Sequence, residues 1–214
     1  MEESFIRACL GSLSNVQNIY FANPTINISA RDEEAFRTAC RGGHLTIAQW
    51  LLSVKPTINI SADNEYAFQA ACDRGHLPLA QWLLSVKPTI DISSDNEQAF
   101  RNACTRGYLT VAQWLLSVKP TIDVLAKNGQ AFQSACGYGH LSVAQWLFTL
   151  KPFLYVICVD ECTGSLKSWC VRRAEHARWQ TRKCALWLRV QQTHANVFSK
   201  VPEDVSRYIV QMFL

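Results

Sequence analysis

The chain has 214 residues, 49% apolar and 18% charged, with a formal net charge of +4. That composition is too apolar for a disordered chain and ordinary for one or two soluble globular domains. The longest uninterrupted apolar run is Phe153–Val159, too short for a membrane span, and the acidic start "MEESFIRACL" lacks the basic-then-apolar order of a signal peptide, so a cytoplasmic setting is expected.

A first unit, residues 1–31, runs from Phe5 through Cys9 to Pro24 as a worn copy of the later units. Phe36, Phe68, Phe100 and Phe132 then recur every 32 residues, as do Trp50, Trp82, Trp114 and Trp146, and Pro56, Pro88, Pro120 and Pro152. A fixed period of this size predicts a solenoid whose units bury their apolar faces only against their neighbours.

Each unit reads as two helices. In "NEYAFQAACDRG" the residues Ala67, Phe68, Ala71 and Cys72 form a short apolar stripe at helical spacing. Asp32, Asn64, Asn96 and Asn128 stand in N-cap register, and Gly43, Gly75, Gly107 and Gly139 end this helix where a left-handed residue is wanted. The second helix is predicted to begin at Thr46, Pro78, Thr110 or Ser142 and to end before Pro56, Pro88, Pro120 or Pro152. "PTINIS" and "PTIDIS" alternate polar and β-branched residues and predict an extended finger.

Cys40, Cys72, Cys104 and Cys136 occupy one phase of the repeat. Equivalent positions in stacked units lie about 10 Å apart, beyond the roughly 7 Å that a disulfide tolerates. They read as reduced, buried side chains in a reducing compartment.

These residues resemble the ankyrin repeat. "ACDRGHLPLAQWLLSVKPTIDI" matches its paired small residues, Gly-His-Leu turn, apolar helix and polar exit, and the likeness covers about 1–156. The phrasing "AFxxACxxGHLxxAQWLLS" is most similar to ankyrin arrays of large DNA viruses of amoebae. The resemblance implies an all-α solenoid of stacked helix-turn-helix units with extended β-hairpin-like fingers and a helical C-terminal cap. Two features depart from the family: the Thr-Pro-Leu-His start is replaced by "EYAF" or "EQAF", so its turn-fixing hydrogen bonds must come from elsewhere, and the finger glycine occurs only at Gly129.

The units differ mainly at the finger tip and on the outer side of the first helix. Glu34, Tyr66, Gln98 and Gln130 share one register; Arg37, Gln69, Arg101 and Gln133 share another. Arg41, Asp73 and Thr105 share a third with Gly137, and Arg74, Arg106 and Tyr138 a fourth with Gly42. In ankyrin arrays these registers line the concave groove, so the resemblance makes them the candidate protein-binding surface, with Tyr and Arg as anchors. Drift of exposed positions is the competing explanation.

No pattern of catalysis is present. His44, His76 and His140 share a position that Tyr108 takes in the remaining unit, which suits a structural role and not a ligand or base, and no phosphate-binding loop, nucleophile elbow or His-Glu-x-x-His string occurs. The protein reads as a non-enzyme without cofactor or metal. Cys158, Cys162, Cys170 and Cys184 lack the paired short gaps of zinc modules, so free thiols are expected there rather than zinc.

The whole charge excess lies in 153–214, which has nine basic and five acidic residues. Residues 157–192 read as a degenerate repeat or helical cap; basic residues there alternate with Trp169, Trp179 and Trp187, a pattern of nucleic-acid binders but more often of a solvated cap. Residues 193–214 hold an amphipathic helix, "VPEDVSRYIVQMFL". It resembles the opening of an F-box, as at the ends of poxvirus ankyrin proteins, with Pro202, Glu203, Val205, Tyr208 and Ile209 on the matching positions. That resemblance implies docking to a Skp-type adaptor of a cullin ubiquitin ligase; a plain capping helix is the alternative. The expectation is a monomeric interaction module that binds another protein, with neither nucleic acid nor membrane as partner.

Overall fold

The computed structural model describes residues 2–151, together with Ser168 and Arg172. Between Glu2 and Lys151 the chain forms ten α-helices: α1 Glu2–Ala8, α2 Leu13–Ala22, α3 Ala30–Arg41, α4 Leu45–Val54, α5 Ala62–Asp73, α6 Leu77–Val86, α7 Ser94–Thr105, α8 Leu109–Val118, α9 Ala126–Gly137 and α10 Leu141–Leu150. They pair into five stacked layers. The first helices α3, α5, α7 and α9 pack closely on one another, because Ala35, Ala39, Ala67, Ala71, Ala99 and Ala103 let their backbones approach. The second helices lie farther apart, spaced by tryptophans that reach across layers: Phe36 meets Trp82 at 6.5 Å, and Phe68–Trp114 and Phe100–Trp146 meet at 6.2 Å between ring centroids. This difference in spacing curves the stack, with the first helices on its inner side. In the worn first layer Tyr20 sits between Phe5 and Trp50.

The turn between the helices of a layer is a double backbone latch. His44 N donates to Ala39 O (3.0 Å) and Gly43 N to Cys40 O (3.1 Å), and the same pair recurs at Gly75, Gly107 and Gly139. This arrangement needs a left-handed residue after the helix, which the glycines supply at φ 76–81°. The second helix starts at Leu45, Leu77, Leu109 and Leu141, one residue before the Thr46, Pro78, Thr110 and Ser142 expected, because His44 and its equivalents already accept its first bonds. On each of three glycines lies a ring of the next layer. A Cβ on Gly43 would stand 2.5 Å from His76 Cε1, one on Gly75 2.6 Å from Tyr108 Cδ1, and one on Gly107 2.5 Å from His140 Nδ1. Tyr108 therefore replaces histidine without loss, since the joint needs a flat ring rather than an imidazole.

The segments expected to be extended fingers contain no strand among the described residues. Each is a pair of tight turns, as at Ile58 N to Lys55 O (3.2 Å) and Ala62 N to Asn59 O (3.0 Å). The cause is the Asx residue at the tip: Asn27, Asn59, Asp91 and Asp123 each accept a bond from the backbone N–H two residues on, at 2.9–3.2 Å. Such a side chain mimics a turn and competes with extension. The alternation still places Ile58, Ile60, Ile90 and Ile92 inside.

A second correction concerns Asp32, Asn64, Asn96 and Asn128. They do not cap the helices; each lies in the middle of three consecutive left-handed residues, 31–33, 63–65, 95–97 and 127–129, with φ of 51–74°. Asx residues tolerate this conformation, but a run of three costs roughly 1–2 kcal/mol per non-glycine residue. Side chains from the first helical turns after the bend hold it in place. Arg37 Nη2 donates to Arg31 O (3.0 Å), Gln69 Nε2 to Asn64 O (2.9 Å), and Arg101 uses Nε on Asn96 O (2.7 Å) and Nη2 on Asp95 O (3.0 Å). The buried carboxylates of Glu33 and Glu97 accept from the backbone of the next turn pair, at Asn59 N (3.2 Å) and Asp123 N (3.4 Å). These bonds fix the bend in a chain that lacks a Thr-Pro-Leu-His start.

Cys9, Cys40, Cys72 and Cys104 are buried free thiols, and Cys136 is buried at the same register. Burial pushes Cys9 from its ordinary 9.0 up to about 12, and Cys40, Cys72 and Cys104 rise as well.

Three outcomes are expected. Gly75→Ala should lower stability by more than about 1 kcal/mol through its left-handed φ and the Tyr108 ring, whereas Gly137→Ala, a helical position with open space, should raise it by about 0.5 kcal/mol; urea midpoints compare the two. Arg101→Ala should cost about 2 kcal/mol, measured the same way, because it strips the carbonyls of a strained bend. The folded state holds its thiol protons to higher pH than the unfolded chain, so this stabilisation is whole below pH 9 and drains as pH climbs toward about 12. Thermal midpoints should therefore fall across that window, and fall less in a chain whose repeat cysteines are replaced by alanine.

Candidate functional site

The varying registers run along the inner side of the first helices and separate into two clusters. At the bend end, Glu34 pairs with Arg31 at 3.5 Å, and Arg37 pairs with Asp63 of the next layer while its guanidinium lies 5.3 Å from the centroid of the Tyr66 ring. Arg37, Asp63 and Tyr66 are thus an inter-layer tie as well as surface. Gln69, Gln98, Gln130 and Gln133 are half-buried. Arg101 departs from expectation: it is 6% exposed and gives its third donor to Gln130 Oε1, so it holds structure and is not available to a partner. Its burial follows from the same bend carbonyls that Gln69 meets with a shorter side chain.

At the turn end the structure brings Asp73, Arg74, Arg106 and Tyr138 together. Arg106 Nε donates to Asp73 Oδ1 at 2.7 Å, and Arg74 Nε stands 3.5 Å from Asp73 Oδ2. The carboxylate thereby orients the Arg106 guanidinium of the adjacent layer, with Arg74 close by, and it holds the proton of Arg106 more firmly than usual. Tyr138 is 70% exposed, with its ring 6.5 Å from that of His140. Asp73, Asn102, Thr105, Arg106, Tyr108, Tyr138 and His140 line an open cleft of about 560 Å³. Nothing in the sequence marks Asn102, Tyr108 and His140 as surface, since the two rings sit at a position with a structural reading; in the fold each ring does both jobs. Arg41 is exposed farther along the same edge.

Among the described residues no group of three or more His, Cys, Asp or Glu side chains could hold a metal ion, and no helix is long and apolar enough to cross a membrane. Pro202, Glu203, Val205, Tyr208 and Ile209, and Cys158, Cys162, Cys170 and Cys184, lie outside the described residues.

Residues 67–116 match the family model described as ankyrin repeats (many copies). The fold is an ankyrin-repeat solenoid. Two solved structures share it. One is a chain of the Bd0816 predatory endopeptidase from Bdellovibrio bacteriovorus in complex with immunity protein Bd3460, at 22% identity and TM-score 0.53, over 69% of this chain and 81% of that one. The other is the human ASB11 ankyrin repeat domain, at 19% identity and TM-score 0.52, over 70% and 68%. No curated protein sequence matches the chain. The ankyrin layers of this protein thus present one continuous inner strip with a structural half at the bends and an open half at the turns.

Proposed function

We propose that this protein is a non-enzymatic ankyrin module that captures a partner protein along the inner strip of its first helices. The observation that carries this reading is the exposed Tyr138 in one cleft with the Asp73-oriented guanidinium of Arg106, in a strip where layers differ while their interiors repeat. Aromatic and arginine side chains held in place are what anchor protein interfaces. The similar fold in the Bdellovibrio structure also occurs in a complex of two proteins. For the stretch around Pro202–Ile209 the F-box-like pattern supports a coupling role: the captured protein is handed to a Skp-type adaptor of a cullin ubiquitin ligase.

The test is a pull-down from eukaryotic lysate with the full chain, a chain ending at Ser199, and Tyr138→Ala. Tyr138→Ala should weaken capture of the partner by tenfold or more, about 1.4 kcal/mol or greater. Loss of a Skp-type adaptor and cullin on truncation at Ser199, with the partner retained, supports the coupling role. Identical recovery by full and truncated chains, with no ligase component, leaves a stand-alone scaffold. Undiminished capture by Tyr138→Ala refutes the strip as the binding surface.

A further inference from the structure

Residues 2–151 carry no net formal charge, yet cations are in excess along the turn edge of the strip. The turn edge carries Arg7, Arg41, Arg74 and Arg106 against Asp73 alone. The bend edge is mixed: Asp32, Glu33, Glu34, Asp63, Glu65, Asp91, Asp95, Glu97 and Asp123 are interspersed with Arg31, Arg37, Lys55, Lys87, Arg101, Lys119 and Lys127. Part of this distribution complements the helix dipoles, which favour acids at the first turn and cations at the last. The dipole does not, however, require arginine rather than lysine, nor a tyrosine-lined cleft beside it. Every cation on the turn edge is arginine, the residue whose planar fork reads carboxylates in pairs. Arg106 engages Asp73 through Nε, so that contact leaves its paired Nη donors for a second carboxylate.

We infer that the cleft lined by Asp73, Asn102, Arg106, Tyr108, Tyr138 and His140, with Arg74 next to Asp73, takes an acidic peptide segment of the partner protein. This rests on the capture reading and adds the chemistry of what is captured. Carboxylates of the segment pair with Arg74 and Arg106, and an apolar or aromatic side chain of it lies on Tyr138. Preorientation of the Arg106 guanidinium by Asp73 lowers the ordering cost of binding. A nucleic acid fits the same place poorly. Its phosphates form a continuous negative line, which would meet Asp73 inside the cleft, and the layers hold no net positive charge to draw it.

The probe is a short fluorescein-labelled polyglutamate peptide, titrated by anisotropy at low ionic strength against the full chain. The variants are Arg74→Glu/Arg106→Glu and, as a control on the bend edge, Lys127→Glu; all three positions are exposed. Binding should weaken about tenfold or more in the double variant and stay unchanged in Lys127→Glu. Circular dichroism and melting confirm that the double variant is folded. Absence of polyglutamate binding overturns the inference. So does binding indifferent to Arg74→Glu/Arg106→Glu, which assigns it to the basic 153–214 stretch, and so does oligothymidylate bound as tightly through the same arginines. If the peptide fails while Tyr138→Ala still abolishes capture from lysate, the strip is a partner site of different chemistry. If both fail, the capture reading falls too.

Discussion

Everything in this array depends on a flat ring of one layer lying on a bare glycine of the layer before. The contact requires three things at once: no Cβ, a left-handed φ, and a backbone latch that fixes where the next helix begins. Gly43, Gly75 and Gly107 meet all three. The ring sets the distance between layers, that distance lets the alanines of neighbouring first helices interlock, and the interlocking aligns the inner strip. A side chain on the strip therefore owes its position to a joint several residues away, at the end of its helix.

The opposite end of each layer solves a different problem. Three left-handed residues in succession are unfavourable, and in a stack they are offset by side chains that arrive from the helix they introduce and from the neighbouring layer. Arg37, Gln69 and Arg101 do this by different routes from one register, which is why that register varies without being free. Where Gly129 takes the third left-handed position, the strain of that residue disappears along with the carboxylate. Variation among copies thus has two meanings: at the bends it reflects alternative ways to satisfy one backbone, and at the turns it reflects surface.

The stacked helices, the terminal glycines and prolines, the buried thiols and the structural place of His44, His76 and His140 were all legible in the 32-residue period, because identical residues at identical spacing imply identical surroundings. Local backbone geometry was not. The Asx residues at 32, 64, 96 and 128 fit a cap and a left-handed bend equally well, and the choice is made by hydrogen bonds from residues five or six positions on. The turn pairs between layers hid behind the alternation of Ile58 and Ile60, since alternate burial arises from tight turns as well as from a strand. For the candidate site, comparison of the copies names the registers that vary but not how the fold divides them between bends and turns. Nothing in the letters separates Arg101, consumed by the bend, from Arg106, presented at the turn; only the third dimension shows which carbonyls lie within reach.

One consequence of the ring-on-glycine joint concerns how such a chain changes over generations. Because His76, Tyr108 and His140 all lie on equivalent platforms, removing or duplicating one of the inner layers by recombination leaves each of these rings still facing a glycine. The fold registers no error at the seam. What does change is which turn edges come to be adjacent, and so whether two arginines and a tyrosine meet around one carboxylate. Length and recognition are thereby decoupled: the scaffold accepts rearrangement freely, and each rearrangement offers a new pairing of side chains to whatever protein it meets.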